Sequence, residues 1–226
     1  MSITKSFTVT QSQYSLLSQH LEHVSSYKYL GIHFTDTLSW NDHIEYITSS
    51  ALKTLGFLRR TLYLAPPKTK LLAYKTIVLP KLEYACTIWN PHQTYLLQRL
   101  ESVQNKAVRF ICNNYSPETS ASALKASNNL SALELRRKIT RLCFFHSIYY
   151  SDSPFKSVYC RPASFISHRL DHSRKLEPIF SRTNTFLFSP LLLCIRDWNT
   201  LPDHIVTDSN PISFRDQCSL LYNYSP

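Results

Sequence analysis

Glycine is nearly missing from this chain. Its 226 residues include only Gly31 and Gly56, whereas an average protein contains about 7% glycine. Glycine-rich phosphate-binding loops and the dinucleotide-binding fingerprint are excluded, because both need several glycines close together. Barrels built from tight hairpins are excluded for the same reason. Helices need glycine only at their ends, so the composition favours a helical fold.

Paired cysteines, a leader sequence and long apolar runs are missing as well. The six cysteines form no C-x-x-C pair, which predicts reduced, mostly buried thiols in an intracellular protein. The N-terminal sequence MSITKSFTVTQ has no apolar core, so we expect a nuclear or cytoplasmic protein that is not secreted. The longest apolar run covers residues 186–195 and is too short to span a membrane.

Clustered carboxylates, which two-metal polymerases and nucleases need to hold Mg²⁺, are also missing. None of the eight aspartates is adjacent to another, and we assign them to helix caps and solvated faces. A zinc site made of Cys143, Cys160, His168 and His172 is disfavoured, because Cys143 lies among apolar residues of a predicted helix. The sequence therefore predicts no metal, no cofactor and no small-molecule substrate.

Positive charge is what the chain has in excess. It contains 25 lysines and arginines against 15 acidic residues, for a net charge of +10. Residues 66–150 contain 12 basic and 4 acidic residues, and therefore carry +8 of that excess. A localised excess favours a polyanionic partner such as nucleic acid. The alternative is a protein that is basic without such a partner.

Apolar periodicity predicts a mainly helical chain after an N-terminal β segment. Short strands are predicted over the segments SFTVTQ and YKYLGIHF, and Gly31 permits a bulge or close packing. Capping boxes are expected at Ser39 with Asp42 and at Ser131 with Glu134, and Pro80 should kink or break the second helix. The predicted helices are 40–64, a second beginning at Pro66-Pro67, 92–112, 131–150, 189–199 and one after Asn210-Pro211, with a loop-rich stretch over 151–185.

Basic residues recur along each of the first four predicted helices. A solvated helix face or an interaction with the helix dipole explains any one of these groups. The same excess of basic residues on four helices, however, predicts a surface that binds along a phosphate backbone. Four tyrosines, Tyr63, Tyr74, Tyr84 and Tyr95, have the chemistry to stack on bases, although we favour core packing for each. The candidate nucleic-acid-binding residues are Arg59, Arg60, Lys68, Lys70, Lys75, Arg99, Lys106, Arg109, Arg136, Arg137, Lys138 and Arg141.

Several longer strings follow one another in a recognisable order across roughly residues 20–215. The strings are YKYLGIHFTDTLSWNDHI, ALKTLGFLRR, LLAYKTIVLPKLEYACTIWNP, LQRLESVQNKAVRFI, LSALELRRKITRLCFFHSIYY and FSPLLLCIRDWNTLPDHIV. Together they resemble the reverse transcriptases of non-LTR (LINE-type) retrotransposons, from the end of the palm through the thumb to the C-terminal segment.

The resemblance implies a division into three parts: a palm-end β-hairpin at 1–38, a thumb-like helical bundle at 39–115 and a partly irregular helical region at 116–226. It also implies the role of a polymerase thumb, which binds the backbone of an RNA or RNA–DNA template–primer duplex. We expect this binding to be weak in this chain. Polymerases of the family use a Y/F-x-D-D motif upstream of Y-L-G-I, and this chain contains no Asp-Asp pair. We therefore expect a truncated fragment without polymerase activity, whose missing palm and fingers would be further partners.

Two alternatives remain open at the level of sequence. In the first, the chain is a non-functional transposon remnant or a helical protein–protein interaction module with exposed apolar surface. The purified chain should then self-associate and should not bind duplex. Otherwise it is part of a polymerase whose palm is supplied by another chain. The isolated chain should give no primer extension under any of these readings.

Overall fold

The computed structural model describes residues 1, 13–167 and 169–223. The chain is mostly helical (56%), with two small antiparallel two-stranded sheets near the N-terminus followed by helices, as predicted. The strands are β1 (Ser15–Leu16), β2 (Gln19–His20), β3 (Ser26–Tyr29) and β4 (Ile32–Thr35). The helices are α1 (Asn41–Thr61), α2 (Pro67–Ala73), a π-helical segment (Tyr74–Val78), α3 (Leu79–Glu83), α4 (Thr94–Ile111), α5 (Ala121–Ser127), α6 (Leu133–Tyr150), α7 (Pro154–Tyr159), α8 (Asn184–Leu187), α9 (Pro190–Asn199), α10 (Asp203–Val206) and α11 (Pro211–Asn223).

The β3–β4 hairpin turns at Leu30 and Gly31, in the middle of the string predicted as one strand. Both residues have positive φ, +46° and +83°, as a two-residue type I′ turn requires. A Cβ on Gly31 would lie 3.4 Å from a ring carbon of Tyr84, so the expected close packing is confirmed. Ile32 on β4 is buried, whereas every residue of β3 is exposed. The hairpin therefore packs against the helices through β4. The other predicted strand, SFTVTQ, lies outside the described residues.

Three helical segments form the bundle that follows the hairpin. Helices α1 and α4 run in the same direction, because Glu45 pairs with Arg99 at 3.5 Å near their starts and Arg59 lies over the Tyr115 ring near their ends. The α2–α3 segment runs the opposite way. Its early residue Lys70 lies over Phe110 near the end of α4. The start of α2 therefore meets the ends of both α1 and α4.

The predicted break at Pro80 takes the form of a widened turn, and the helical path continues through it. Proline has no N–H, and its ring collides with the carbonyl four residues earlier, which here belongs to Thr76. The π-helical segment lies directly before Pro80, and Leu79 N–H donates to the carbonyl of Tyr74, five residues back. Tyr74 is fully buried and donates its hydroxyl to Gln104 Oε1 at 2.8 Å, which fixes this turn against α4.

Both predicted capping boxes are wrong. At α1 the N-cap is Trp40, without a side-chain capping bond. At α6 the Leu133 N–H donates to Glu101 Oε2 at 3.0 Å. Glu101 belongs to α4 and is held in place by Lys125 at 2.6 Å. A carboxylate from a neighbouring helix thus replaces the local cap, and a local sequence pattern cannot identify such a partner.

Two hydrophobic cores meet within α6. The first contains buried residues from Ile32 to Leu133 and the second contains buried residues from Ile139 to Cys218. The first core therefore extends past residue 115, where the sequence predicts a boundary. The predicted helices 92–112, 131–150 and 189–199 are found within two residues of their expected limits, and 151–185 is mostly irregular. The short helices α5, α7, α8 and α10 have no counterpart in the prediction.

Folding stability should fall in mild acid because of His43. This side chain is 1% exposed, and burial, with a smaller contribution from His33, lowers its pKa to about 4. In the unfolded chain His43 binds a proton near the ordinary histidine pKa, whereas in the folded chain it stays neutral until the pH approaches 4. The contribution of His43 to the free energy of unfolding is therefore complete above the ordinary histidine pKa and is lost as the pH falls towards 4. Between about pH 7 and about pH 5 we expect a loss of about 2 kcal/mol.

Urea unfolding at several pH values measures this effect. Burial also lowers the pKa values of His146 and His172, so they add to the loss in the same direction. A His43→Leu variant should show a shallower pH dependence than the wild type. Equal pH dependence in the two proteins would contradict the assignment to His43.

Candidate nucleic-acid interface

Six of the candidate cations gather at one end of the helical bundle. The end of α1, the start of α2 and the end of α4 meet there, as the Arg59–Tyr115 and Lys70–Phe110 contacts show. We call this surface the basic end. It consists of Arg59, Arg60, Lys68, Lys70, Lys106 and Arg109.

Exposure and contacts divide five of these six residues into two groups, while the sixth, Arg59, is exposed but lies over the Tyr115 ring. Arg60, Lys68 and Lys106 are exposed, and no acidic side chain of the described residues pairs with them. Lys70 is only 4% exposed and lies 5.1 Å from the centre of the Phe110 ring. The guanidinium of Arg109 donates to two backbone carbonyls of the following loop. The first group is available to a ligand, and the second holds the bundle together.

Acidic residues are scarce in the segments that form the basic end. Residues 46–82 and 102–117 contain no aspartate or glutamate. The C-termini of α1 and α4 both lie here, and the two helix dipoles together supply about one negative charge. The six positive charges of the basic end exceed this negative charge several-fold. Helix dipoles thus account for only part of the positive charge at this end.

Two further candidates lie apart from the basic end or are neutralised. Arg99 is exposed but pairs with Glu45, near the opposite end of α1. Lys75 is exposed on the π-helical segment. Neither residue belongs to the basic end.

The four cations of α6 are engaged in contacts within the fold, and two of them, Arg137 and Arg141, are buried. Arg136 forms an ion pair with Glu83 of α3, with Nη2–Oε2 at 2.9 Å. The Arg137 guanidinium is buried over the Trp89 ring, and burial lowers its pKa. Asp197 of α9 binds both Arg141 at 2.8 Å and Lys138 at 3.5 Å. These residues join the two cores, and the structure does not bring them to the basic end.

Core packing is confirmed for one of the four tyrosines and is wrong for three. Tyr74 is fully buried, whereas Tyr63, Tyr84 and Tyr95 are 66%, 57% and 56% exposed. Each of the three lies at or beyond the end of a helix, where the apolar stripe no longer dictates burial. Tyr115, which the sequence analysis did not single out, is 51% exposed under Arg59.

The described part of the chain contains no group of three or more His, Cys, Asp or Glu side chains that could hold a metal ion. His168, one residue of the disfavoured zinc site, lies outside it. All six cysteines are unbridged, and burial raises the thiol pKa of Cys194 to about 12, which keeps it protonated. Asp197, Asp203 and Asp208 each bind a neighbouring group of the fold. In the described ranges, no helix combines the length and apolar character needed to cross a membrane.

Comparison with protein-family models, curated proteins and solved structures gave no match to this chain. The resemblance to reverse transcriptases therefore depends on the strings quoted above. The chemistry of the basic end is the feature of the structure that bears on function.

Proposed function

We propose that the basic end binds the sugar–phosphate backbone of nucleic acid without reading its sequence, in the manner of a polymerase thumb. The observation that supports this proposal is the group of exposed, unpaired cations Arg60, Lys68 and Lys106 at one end of the bundle. They come from three helices that the first hydrophobic core holds together. A rigid scaffold therefore presents mobile cationic side chains to a polyanion.

The affinity should be modest and strongly dependent on salt. Lysine and arginine neutralise phosphates and release condensed counterions, and each phosphate contact adds about 0.7–0.9 to the slope of log affinity against log salt. With about three such contacts, affinity should fall about 30-fold between about 50 mM and about 200 mM salt. Arginine and lysine on a backbone carry no sequence information, so different sequences should bind alike.

Filter binding of a labelled RNA–DNA template–primer duplex across a salt series tests the proposal. We expect saturable binding at low salt that weakens steeply as salt rises. Two unrelated duplex sequences should give the same affinity. An absence of binding at low salt, or binding that salt does not change, would contradict the proposed function.

The proposed origin of the chain is a reverse transcriptase of a non-LTR retrotransposon, represented here by its end-of-palm, thumb and C-terminal segments. Support for this comes from the order of the quoted strings and from a hairpin followed directly by a helical bundle. Catalysis is not part of the proposal, because no Asp-Asp pair exists in the sequence. A palm supplied by another chain would be the natural partner.

Exposed apolar side chains favour a second candidate function, a helical protein–protein interaction module. Phe57, Leu64 and Leu72 are 56%, 81% and 62% exposed on and between α1 and α2. Apolar residues grouped on neighbouring elements are typical of interaction surfaces. Self-association of the purified chain, unchanged by added duplex, would favour this candidate over nucleic-acid binding.

A further inference from the structure

We propose that the basic end binds unpaired nucleotides in preference to a continuous duplex, by stacking bases on Tyr63 and Tyr115. This inference rests on the proposed function, because it specifies the form of nucleic acid that the same surface takes. It goes further in assigning a role to two aromatic side chains beside the cations.

One of the two rings contacts Arg59, and the other follows Arg59 closely along the chain. Tyr115 follows the end of α4, and the Arg59 guanidinium lies 5.4 Å from the centre of its ring. Tyr63 follows the end of α1, four residues after Arg59. Tyr63 lies in the turn directly after α1, which ends at Thr61. Both rings therefore belong to the segments that follow α1 and α4, whose ends meet at the basic end.

Neither ring is anchored through its hydroxyl group to another described residue. Two other exposed tyrosines of the bundle are anchored by their hydroxyl groups: Tyr84 donates to the Leu30 carbonyl at 3.1 Å, and Tyr95 donates to Asn41. Within the part of the chain that the structure describes, the hydroxyl groups of Tyr63 and Tyr115 form no hydrogen bond. With 66% and 51% of their surfaces exposed, the two rings present aromatic surface to a ligand.

Stacking on such rings distinguishes an unpaired strand from a duplex. Every base has a π-face, and a single strand exposes these faces, so it gains from stacking whatever its sequence. Inside a duplex each face is covered by the next base pair, which leaves only the phosphates for a protein cation. A surface with cations alone would not favour the single strand in this way. The two rings therefore make the binding of unpaired nucleotides more favourable than the binding of a duplex.

The test compares two labelled RNA probes at the same salt concentration. One is a single strand without self-complementarity, and the other is a long, blunt-ended duplex, which contains no unpaired nucleotide. We expect the single strand to bind about tenfold more tightly. Tyr63→Leu should weaken single-strand binding about five- to tenfold and leave duplex binding unchanged.

Tyr29→Leu is the matched control, because Tyr29 is 57% exposed but lies on the β3 strand, away from the basic end. It should change neither affinity, and circular dichroism of both variants should show that the helical content is preserved. Equal binding of the two probes, or no effect of Tyr63→Leu, would overturn the inference while leaving backbone binding in place. Failure of both probes to bind would overturn the proposed function itself.

Discussion

Replacing Asp197 with alanine should destabilise the protein by about 3 kcal/mol. Its carboxylate binds Arg141 at 2.8 Å and Lys138 at 3.5 Å. The Arg141 side chain is only 7% exposed, so removal of the carboxylate leaves a buried cation without its ion-pair partner. Breaking a buried pair in this way costs about 3–5 kcal/mol, and the partial exposure of Asp197, 18%, places the value at the lower end. Urea unfolding at neutral pH measures the change.

Two variants separate the ion pair from a general effect of losing a carboxylate. Asp216 is exposed on α11, and Asp216→Ala should change stability by less than about 0.5 kcal/mol. Combining Asp197→Leu with Arg141→Met removes both charges and should recover most of the lost stability, because apolar replacements of buried pairs are tolerated. A double variant as unstable as Asp197→Ala would show that the unpaired buried charge is not the cause of the lost stability.

Neutralising Arg60, Lys68 and Lys106 together with glutamine should reduce nucleic-acid affinity about 100-fold at low salt. Each cation lost removes about one phosphate contact, so the slope of log affinity against log salt should fall by about 2–3. All three side chains are exposed, and folding stability should therefore stay close to that of the wild type. Filter binding across a salt series gives both the affinity and the slope.

A second triple variant controls for net charge. Arg161, Arg182 and Arg215 are exposed residues of the C-terminal part of the chain, and none has an acidic partner among the described residues. Their replacement with glutamine changes the net charge by the same amount. This variant should lose less than about threefold in affinity. Equal losses in the two triple variants would mean that overall charge, rather than the basic end, governs binding.

The hydrophobic pattern was sufficient to predict the main helices, because each buries one continuous stripe in a core. Residues 92–112, for example, place Leu96, Leu100 and Val103 at helical spacing, and all three are buried. The caps could not be predicted from local residues, since Glu101 reaches Leu133 from another helix. Short helices such as α5, over Ala121–Ser127, contain no buried residue and leave no periodic signal.

The candidate site was harder to predict than the fold. A run of four cations on α6, including Arg136 and Arg137, has the same composition as an exposed basic face. Only the fold shows that α6 lies between two cores, where Glu83 and Asp197 neutralise three of these cations and Trp89 covers the fourth. The convergence of cations at the basic end likewise follows from the parallel course of α1 and α4, which no local pattern specifies.

Photocrosslinking tests the central claim most directly, because it shows where nucleic acid contacts the chain. A single-stranded RNA containing a photoreactive uridine would be bound to the full chain, irradiated and traced to protein by peptide mass spectrometry. We expect crosslinks in the segments that form the basic end, residues 59–70 and 106–115, and their loss in the Arg60, Lys68 and Lys106 triple variant. Crosslinks confined to residues 151–226, or retained in that variant, would contradict the assignment of nucleic-acid binding to the basic end.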